Sequence, residues 1–132
     1  MGRKYGEGDA SFQAAGAEEG IRHLVEAFYH QMATLPEARE IFDMHQGDLE
    51  TTIDKLARFL CGWLGGPKLY KEKYGSIRIP VAHRHLPIGA DQRDAWLLCM
   101  EKALQEQPYE EDFKRYLLQQ LAVPAERSRN QD

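Results

Sequence analysis

The sequence lacks the features of several large classes of protein. Its 132 residues contain no apolar run that approaches the roughly 18 residues needed to span a bilayer. The first residues, MGRKYGEGD, have no apolar core of the kind that a secretory signal peptide requires. Lysine and arginine number 17 against 21 aspartates and glutamates, so there is no basic excess for binding nucleic-acid phosphates. We therefore expect a cytoplasmic protein with neither a membrane nor a nucleic acid as partner.

Cysteine is scarce as well. Only Cys61 and Cys99 are present, each within apolar sequence, and no C-x-x-C pair occurs. A structural zinc finger, a thioredoxin-type dithiol and a covalent c-type haem are therefore unsupported. No serine lies in a nucleophile elbow, and no glycine-rich loop matches a phosphate-binding motif. We expect two buried thiols in a reducing compartment and no chemistry that depends on an activated serine or cysteine.

No segment alternates between apolar and polar residues as a half-buried strand does, so a sheet is not expected. Four segments instead repeat apolar residues with the spacing of one helix face. Their apolar positions are Ile21, Leu24, Val25, Phe28 and Met32; Leu49, Ile53, Leu56, Leu60 and Leu64; Trp96, Leu97, Met100 and Leu104; and Phe113, Tyr116, Leu117 and Leu121. The sequence predicts an all-α fold.

The length of 132 residues suits one domain, which we place over residues 1–132 with polar tails at 1–10 and 124–132. The helices are expected to break at Pro36, at Gly65-Gly66-Pro67 and at Pro108. Asp48 and Asp91 are candidate N-caps for the second and third long helices.

The stretch from Tyr70 to Gly89 contains too many glycines and prolines for a long helix. Irregular stretches of this length in a compact domain are often functional. His83 and His85 lie within it, and by themselves these two histidines could bind a transition metal, cap a helix or have no role.

Two other features have more than one interpretation. One stripe of the first long helix carries two glutamates and two histidines: Glu19, His23, Glu26 and His30. Their spacing could hold a zinc ion. A solvated charged face is favoured, because the stripe lies off the apolar face of the helix. Tyr29 and Trp96 either bond to carbonyl groups across the core or point their O–H and N–H into a ligand cavity.

Taken in order, a set of motifs resembles the truncated haemoglobins of the second group. The matching elements are Glu18-Glu19-Gly20-Ile21, Phe28-Tyr29, Met44-His45 with Asp48-Leu49, Phe59-Leu60, Gly65-Gly66-Pro67, Leu69-Tyr70, His83 with Leu86-Pro87-Ile88-Gly89, and Arg93-Asp94-Ala95-Trp96. The resemblance covers roughly residues 10–122. It implies a two-over-two helical sandwich around a non-covalent haem b.

The resemblance also implies which residues hold the cofactor. His83 is the implied ligand of the iron, with His85 as its competitor. The other implied cofactor contacts are Lys55 and Tyr70 at the propionates, Arg84 as a replacement for a basic residue that is missing at Ala82, and the apolar side chains Leu56, Phe59 and Leu86.

On the opposite side of the haem, the resemblance implies that Tyr29 and Trp96 donate hydrogen bonds to a bound ligand. The third polar position corresponds to His45 by one spacing and to Phe42 by another, and we favour His45. Thr52 and Ile53 are expected to line the same pocket.

The implied function is reversible binding of dioxygen and other diatomic ligands, with carbon monoxide, nitric oxide and sulfide as further candidates. Slow release of oxygen would suit redox detoxification, such as nitric oxide dioxygenation or peroxidase-like turnover, with an external reductase. The alternatives are a haem-based sensor or redox partner module, and a cofactor-free helical interaction domain.

Overall fold

The computed structural model describes residues 5–39, 42, 49–75 and 89–128. Every regular element in these ranges is a helix, as the missing alternation predicts. The helices are α1 (Ala10–Ala14), α2 (Ala17–Thr34), a 3-10 turn (Pro36–Ala38), α3 (Leu49–Trp63), α4 (Leu69–Tyr74), α5 (Ala90–Gln105) and α6 (Glu111–Ser128).

The helix ends fall close to the expected breaks. Helix α2 ends at Thr34, two residues before Pro36, and α3 ends at Trp63, before Gly65-Gly66-Pro67. The prediction of Asp91 as an N-cap is wrong, because α5 begins at Ala90 and its N-cap is Gly89. The Gly89 backbone N–H donates to Gln92 Oε1 at 2.7 Å, so the side chain of the third helical residue takes the capping role. The other candidate cap, Asp48, lies outside the described residues.

The core lies between two helix pairs, α2 with α3 and α5 with α6. Helix α2 also packs against α5, which joins the two pairs, and α4 packs on α3. The largest side chains that are almost fully buried are Phe28, Phe113, Ile21, Leu24, Met32, Leu60, Met100, Leu104, Leu117, Leu121, Val25 and Cys61. All of these except Cys61 belong to the four predicted apolar faces. This arrangement agrees with the predicted two-over-two sandwich of helices.

The apolar faces are not buried uniformly. Leu49, the first residue of α3, is 45% exposed, because it lies at the end of the helix beyond the packed region. Ile53, Leu56 and Trp96 are only half-buried, although they pack against the core. Cys61 and Cys99 are buried and are not joined in a disulfide, as predicted.

The N-terminal segment closes over the end of α3. The Phe12 backbone N–H donates to Leu64 O at 3.1 Å. A Cβ atom on Gly66 would lie 2.5 Å from Phe12 Cδ1, and one on Gly65, whose φ is +94°, would lie 2.0 Å from Gly8 O. The glycine pair is therefore required by close packing as well as by the turn.

Parts of both predicted polar tails lie within the described residues. Tyr5 packs against Phe113 with ring centroids 5.1 Å apart, and its hydroxyl donates to Asp112 Oδ1 at 2.9 Å. Residues 124–128 continue α6. The mobility of the two tails stays a prediction.

Candidate functional site

Tyr29 is carried by α2 on the edge of its buried face. Its side chain is 5% exposed, and its ring meets that of Phe28 edge-on with the centroids 4.9 Å apart. Burial raises the pKa of the Tyr29 phenol well above its ordinary value. The hydroxyl therefore keeps its proton at neutral pH and remains able to donate a hydrogen bond.

Trp96 lies on α5, across the interface from α2. It is half-buried, and its ring meets the same Phe28 ring in a T-shaped contact with the centroids 4.9 Å apart. We call Phe28, Tyr29 and Trp96 the aromatic cluster. One phenyl ring thus brings together the two donor-bearing residues that the sequence resemblance pairs, although they are far apart in the chain.

Helix α3 contributes an apolar strip beside its buried face. Ala57, Leu60 and Cys61 are buried in the core, whereas Ile53, Leu56 and Phe59 are half-buried. The half-buried residues recur every third position and so form a strip along one side of the helix. Thr52 is half-buried at the beginning of this strip.

Tyr70 and Lys55 were predicted to contact the cofactor edge. Tyr70, on α4, meets Phe59 of the strip in a T-shaped contact with the ring centroids 6.5 Å apart. Lys55 is exposed, and its Nζ lies 5.4 Å from the centroid of the Tyr74 ring, within cation–π range. The structure thus places Tyr70 beside the apolar strip and Lys55 against the neighbouring helix.

A charged group that sequence analysis did not identify lies around Asp54. Its carboxylate accepts hydrogen bonds from Arg22 and Arg58 and from Lys73 and Tyr74. We call these five residues the Asp54 cluster. Partial burial alone raises the pKa of the Asp54 carboxyl, but the four donors outweigh it and hold the pKa well below its usual range. Only the Asp54–Arg58 pair, at i and i+4, leaves a signal in the sequence.

Several predicted site residues lie outside the described residues. They are His45, His83, Arg84, His85 and Leu86. Phe42, the alternative to His45, is described: it is half-buried and packs against the core. The choice between Phe42 and His45 as the third distal residue therefore stays open.

The charged stripe on α2 is solvated, as favoured. Glu19, His23, Glu26 and His30 are all exposed. Over the ranges that the structure describes, no group of three His, Cys, Asp or Glu side chains is arranged to hold a metal ion. In the same ranges, no helix is long and apolar enough to cross a membrane.

A separate cavity of about 220 Å³ lies at the far end of α3. Its lining residues are Gly6, Gly8, Ser11, Trp63, Leu64, Gly65, Tyr116 and Gln120. None of the predicted site residues lines it.

The helical arrangement is that expected of a small globin. The chain matches the family model described as "Bacterial-like globin" over residues 10–127, and it belongs to this family. Haem b is the cofactor that this membership supports.

Known relatives place the chain near one group within the family. It is 34% identical to the group 2 truncated hemoglobin YjbI of Bacillus subtilis (strain 168) over 131 residues, covering 99% of this chain and 94% of the relative. A cold-adapted truncated hemoglobin from Pseudoalteromonas haloplanktis TAC125 superposes with a TM-score of 0.88 at 32% identity, covering 92% and 98% of the two chains.

A second solved structure leads to the same assignment. The group II 2-on-2 hemoglobin of Agrobacterium tumefaciens superposes with a TM-score of 0.86 at 34% identity, covering 92% of this chain and 95% of that one. The predicted resemblance to the second group of truncated haemoglobins and the predicted two-over-two fold are confirmed.

The described residues fit a haem. A flat, largely apolar macrocycle needs an apolar surface, and the strip of Ile53, Leu56 and Phe59 supplies one that is half-buried. Its carboxylates need polar or cationic partners at the rim, and Tyr70 and Lys55 lie on or next to that side of α3.

Proposed function

We propose that the chain holds haem b through His83 and reversibly binds dioxygen or another diatomic ligand beside Tyr29 and Trp96. Family membership supports haem-based ligand binding in general. The finer proposal is supported above all by the aromatic cluster, in which Phe28 contacts both Tyr29 and Trp96 with ring centroids 4.9 Å apart. The two residues with a donor suited to ligand recognition therefore lie together.

When bound, haem would supply an iron that accepts a diatomic ligand, and His83 would be the residue that holds it. The role of the protein is to orient donors and exclude water. The Tyr29 hydroxyl stays protonated, and the Trp96 indole offers only an N–H donor. Each hydrogen bond to a ligand that gains negative charge contributes about 1–3 kcal/mol in a dry site, chiefly by slowing release.

The remaining assignments complete the proposal. On the cofactor side, Leu56, Phe59 and Leu86 provide apolar contact, and Lys55, Tyr70 and Arg84 bind the propionates. On the ligand side, Thr52 and Ile53 line the pocket, with His45 or Phe42 as its third distal residue. We also propose that the protein acts in the cytoplasm.

The ligand assignment is tested with His83→Ala and the matched variant His85→Ala. We expect the wild-type protein to show a Soret band in its optical spectrum. His83→Ala should lose or weaken haem binding, whereas His85→Ala should retain it. Equal loss in both variants would contradict the assignment of His83. A fully folded, colourless wild-type protein would instead favour a cofactor-free interaction domain.

The donor assignment is tested by oxygen dissociation kinetics. Tyr29→Phe and Trp96→Phe should each raise the dissociation rate by about tenfold, because each removes one hydrogen bond. Tyr109→Phe is the control, since the Tyr109 hydroxyl donates to Ala15 O at 2.8 Å, at the end of α1, and Tyr109 is not part of the aromatic cluster. Unchanged rates in both test variants would mean that neither donor reaches the ligand.

A second candidate function is redox detoxification of reactive oxygen or nitrogen species. The presence of two donors in the aromatic cluster favours it, because slow release keeps dioxygen bound long enough to react. Nitric oxide mixed with the oxygenated protein should yield nitrate and ferric iron, and an external reductase would have to restore the ferrous state. Release of unreacted dioxygen on mixing would contradict this function.

A further inference from the structure

Asp54 joins three helices through one carboxylate. Its Oδ1 accepts from Arg22 Nη2 of α2 at 2.7 Å, and its Oδ2 accepts from Arg58 Nε of α3 at 2.9 Å. The same Oδ2 accepts from Lys73 Nζ at 3.0 Å and from Tyr74 Oη at 2.7 Å, both on α4. The Asp54 side chain is only 15% exposed, so water competes weakly for these bonds.

The position of helix α4 depends on the Asp54 carboxylate more than the positions of the other helices do. None of its six residues is buried, and such a short helix is not stable alone. Leu69, Tyr70 and Tyr74 are half-buried, whereas its remaining residues are exposed. The bonds from Lys73 and Tyr74 to Asp54 are therefore a large part of what fixes α4 on α3.

The position of α4 matters for the proposed haem site. Its Tyr70 lies edge-on to Phe59 and is the proposed propionate contact. The helix ends at Tyr74 and is followed by Gly75, which has a φ of +86° and leads in the sequence toward the stretch that holds His83. A displacement of α4 would thus disturb the rim of the site and the start of the ligand-bearing stretch together.

We propose that Asp54 is a positioning residue that slows the loss of haem by holding α4 against α3. This inference rests on the proposed function. The cluster has two separable arms: Lys73 and Tyr74 hold α4, whereas Arg22 holds α2. Only the α4 arm should control haem retention, because α2 is fixed independently by its six buried side chains.

The experiment compares the two arms in the haem-loaded protein. Tyr74→Phe removes one hydroxyl and keeps the ring under Lys55, and Lys73→Met removes the second bond to α4. Arg22→Met is the matched control, because it removes a donor of the same carboxylate but on α2. The rate of haem transfer to excess haem-free myoglobin and the urea midpoint are measured for each variant.

We expect Tyr74→Phe to accelerate haem transfer by about tenfold, the effect of one hydrogen bond to a charged acceptor. Lys73→Met should accelerate it by about threefold, because the Lys73 side chain is 51% exposed and its ion pair is partly screened by water. Both should also shift the propionate bending modes in the resonance Raman spectrum, which a loss of global stability would not do. Arg22→Met should lower the urea midpoint but keep haem transfer within about twofold of wild type.

Two results would overturn the inference while leaving the proposed function intact. One is unchanged haem transfer in both α4-arm variants. The other is equal acceleration in Arg22→Met, which would show that global stability sets the rate. A wild-type protein without a Soret band would overturn the proposed function itself and this inference with it. Asp54→Asn removes the negative charge to which both arms bind. It should therefore both accelerate haem transfer and lower the urea midpoint.

Discussion

The aromatic cluster and the Asp54 cluster both include residues of α2, but they are stabilised in different ways. In the aromatic cluster, Phe28 is fully buried and contacts its neighbours through ring edges. In the Asp54 cluster, four polar side chains share one carboxylate, whose side chain is largely but not fully buried. Apolar burial fixes the first, so its geometry is insensitive to pH and salt. Charge fixes the second, so it responds to both.

The largest loss of stability is expected for Phe28→Ala, in the aromatic cluster. The change removes a fully buried ring and should lower the free energy of unfolding by about 4 kcal/mol, measured by urea denaturation. Phe28→Leu keeps most of the apolar volume and is the control, with an expected loss of about 1 kcal/mol. A loss in Phe28→Leu as large as that in Phe28→Ala would mean that the ring contacts, and not the buried apolar volume, provide the stabilisation.

A smaller effect is expected for Asp54→Asn, about 2 kcal/mol at pH 7 after allowance for solvent screening. Because the folded protein holds the pKa of Asp54 below its usual range, the charged carboxylate stabilises the fold above about pH 4. This contribution is lost as the pH falls further. The stability difference between wild type and Asp54→Asn should therefore shrink in acid, and a constant difference would contradict the assignment.

Tyr109→Phe tests a half-buried polar contact that belongs to neither cluster. The Tyr109 hydroxyl donates to Ala15 O at 2.8 Å, so its loss should cost about 1 kcal/mol at neutral pH. Burial raises the pKa of Tyr109 to about 12. The neutral phenol therefore stabilises the fold below about pH 10, and this stability declines as the pH rises toward 12. The wild-type protein should lose more stability in this alkaline window than Tyr109→Phe does.

The smallest change is expected at an exposed ion pair. Lys114 Nζ lies 3.2 Å from Glu111 Oε1, and the Glu111 side chain is 82% exposed. Lys114→Met should change the free energy of unfolding by about 0.3 kcal/mol or less, measured in the same urea titrations. A loss comparable to that of Asp54→Asn would show that solvent exposure does not separate the two kinds of ion pair.

The difference between the clusters also explains how much the sequence could predict. Apolar periodicity is local, so the faces containing Phe28, Leu60 and Leu117 could be predicted from spacing alone. The pairing of Tyr29 with Trp96 has no local signal and came from the family resemblance. The cap of α5 was misplaced because Gln92 supplies its side chain to Gly89, a contact that propensity did not favour over Asp91.

The Asp54 cluster could not be predicted for a similar reason. Arg22 lies 32 residues from Asp54, and Tyr74 lies 20 residues away. Nothing in the sequence separates these side chains from other charged or polar residues on solvated faces. Only the folded backbone shows that they meet at a single acceptor.

The shared contact at Phe28 means that positions 29 and 96 are energetically coupled. A substitution at either one changes the packing on the ring that the other touches, so the two effects should not add. The properties of a Tyr29 variant therefore depend on which residue occupies position 96, and the double variant cannot be inferred from the two single ones.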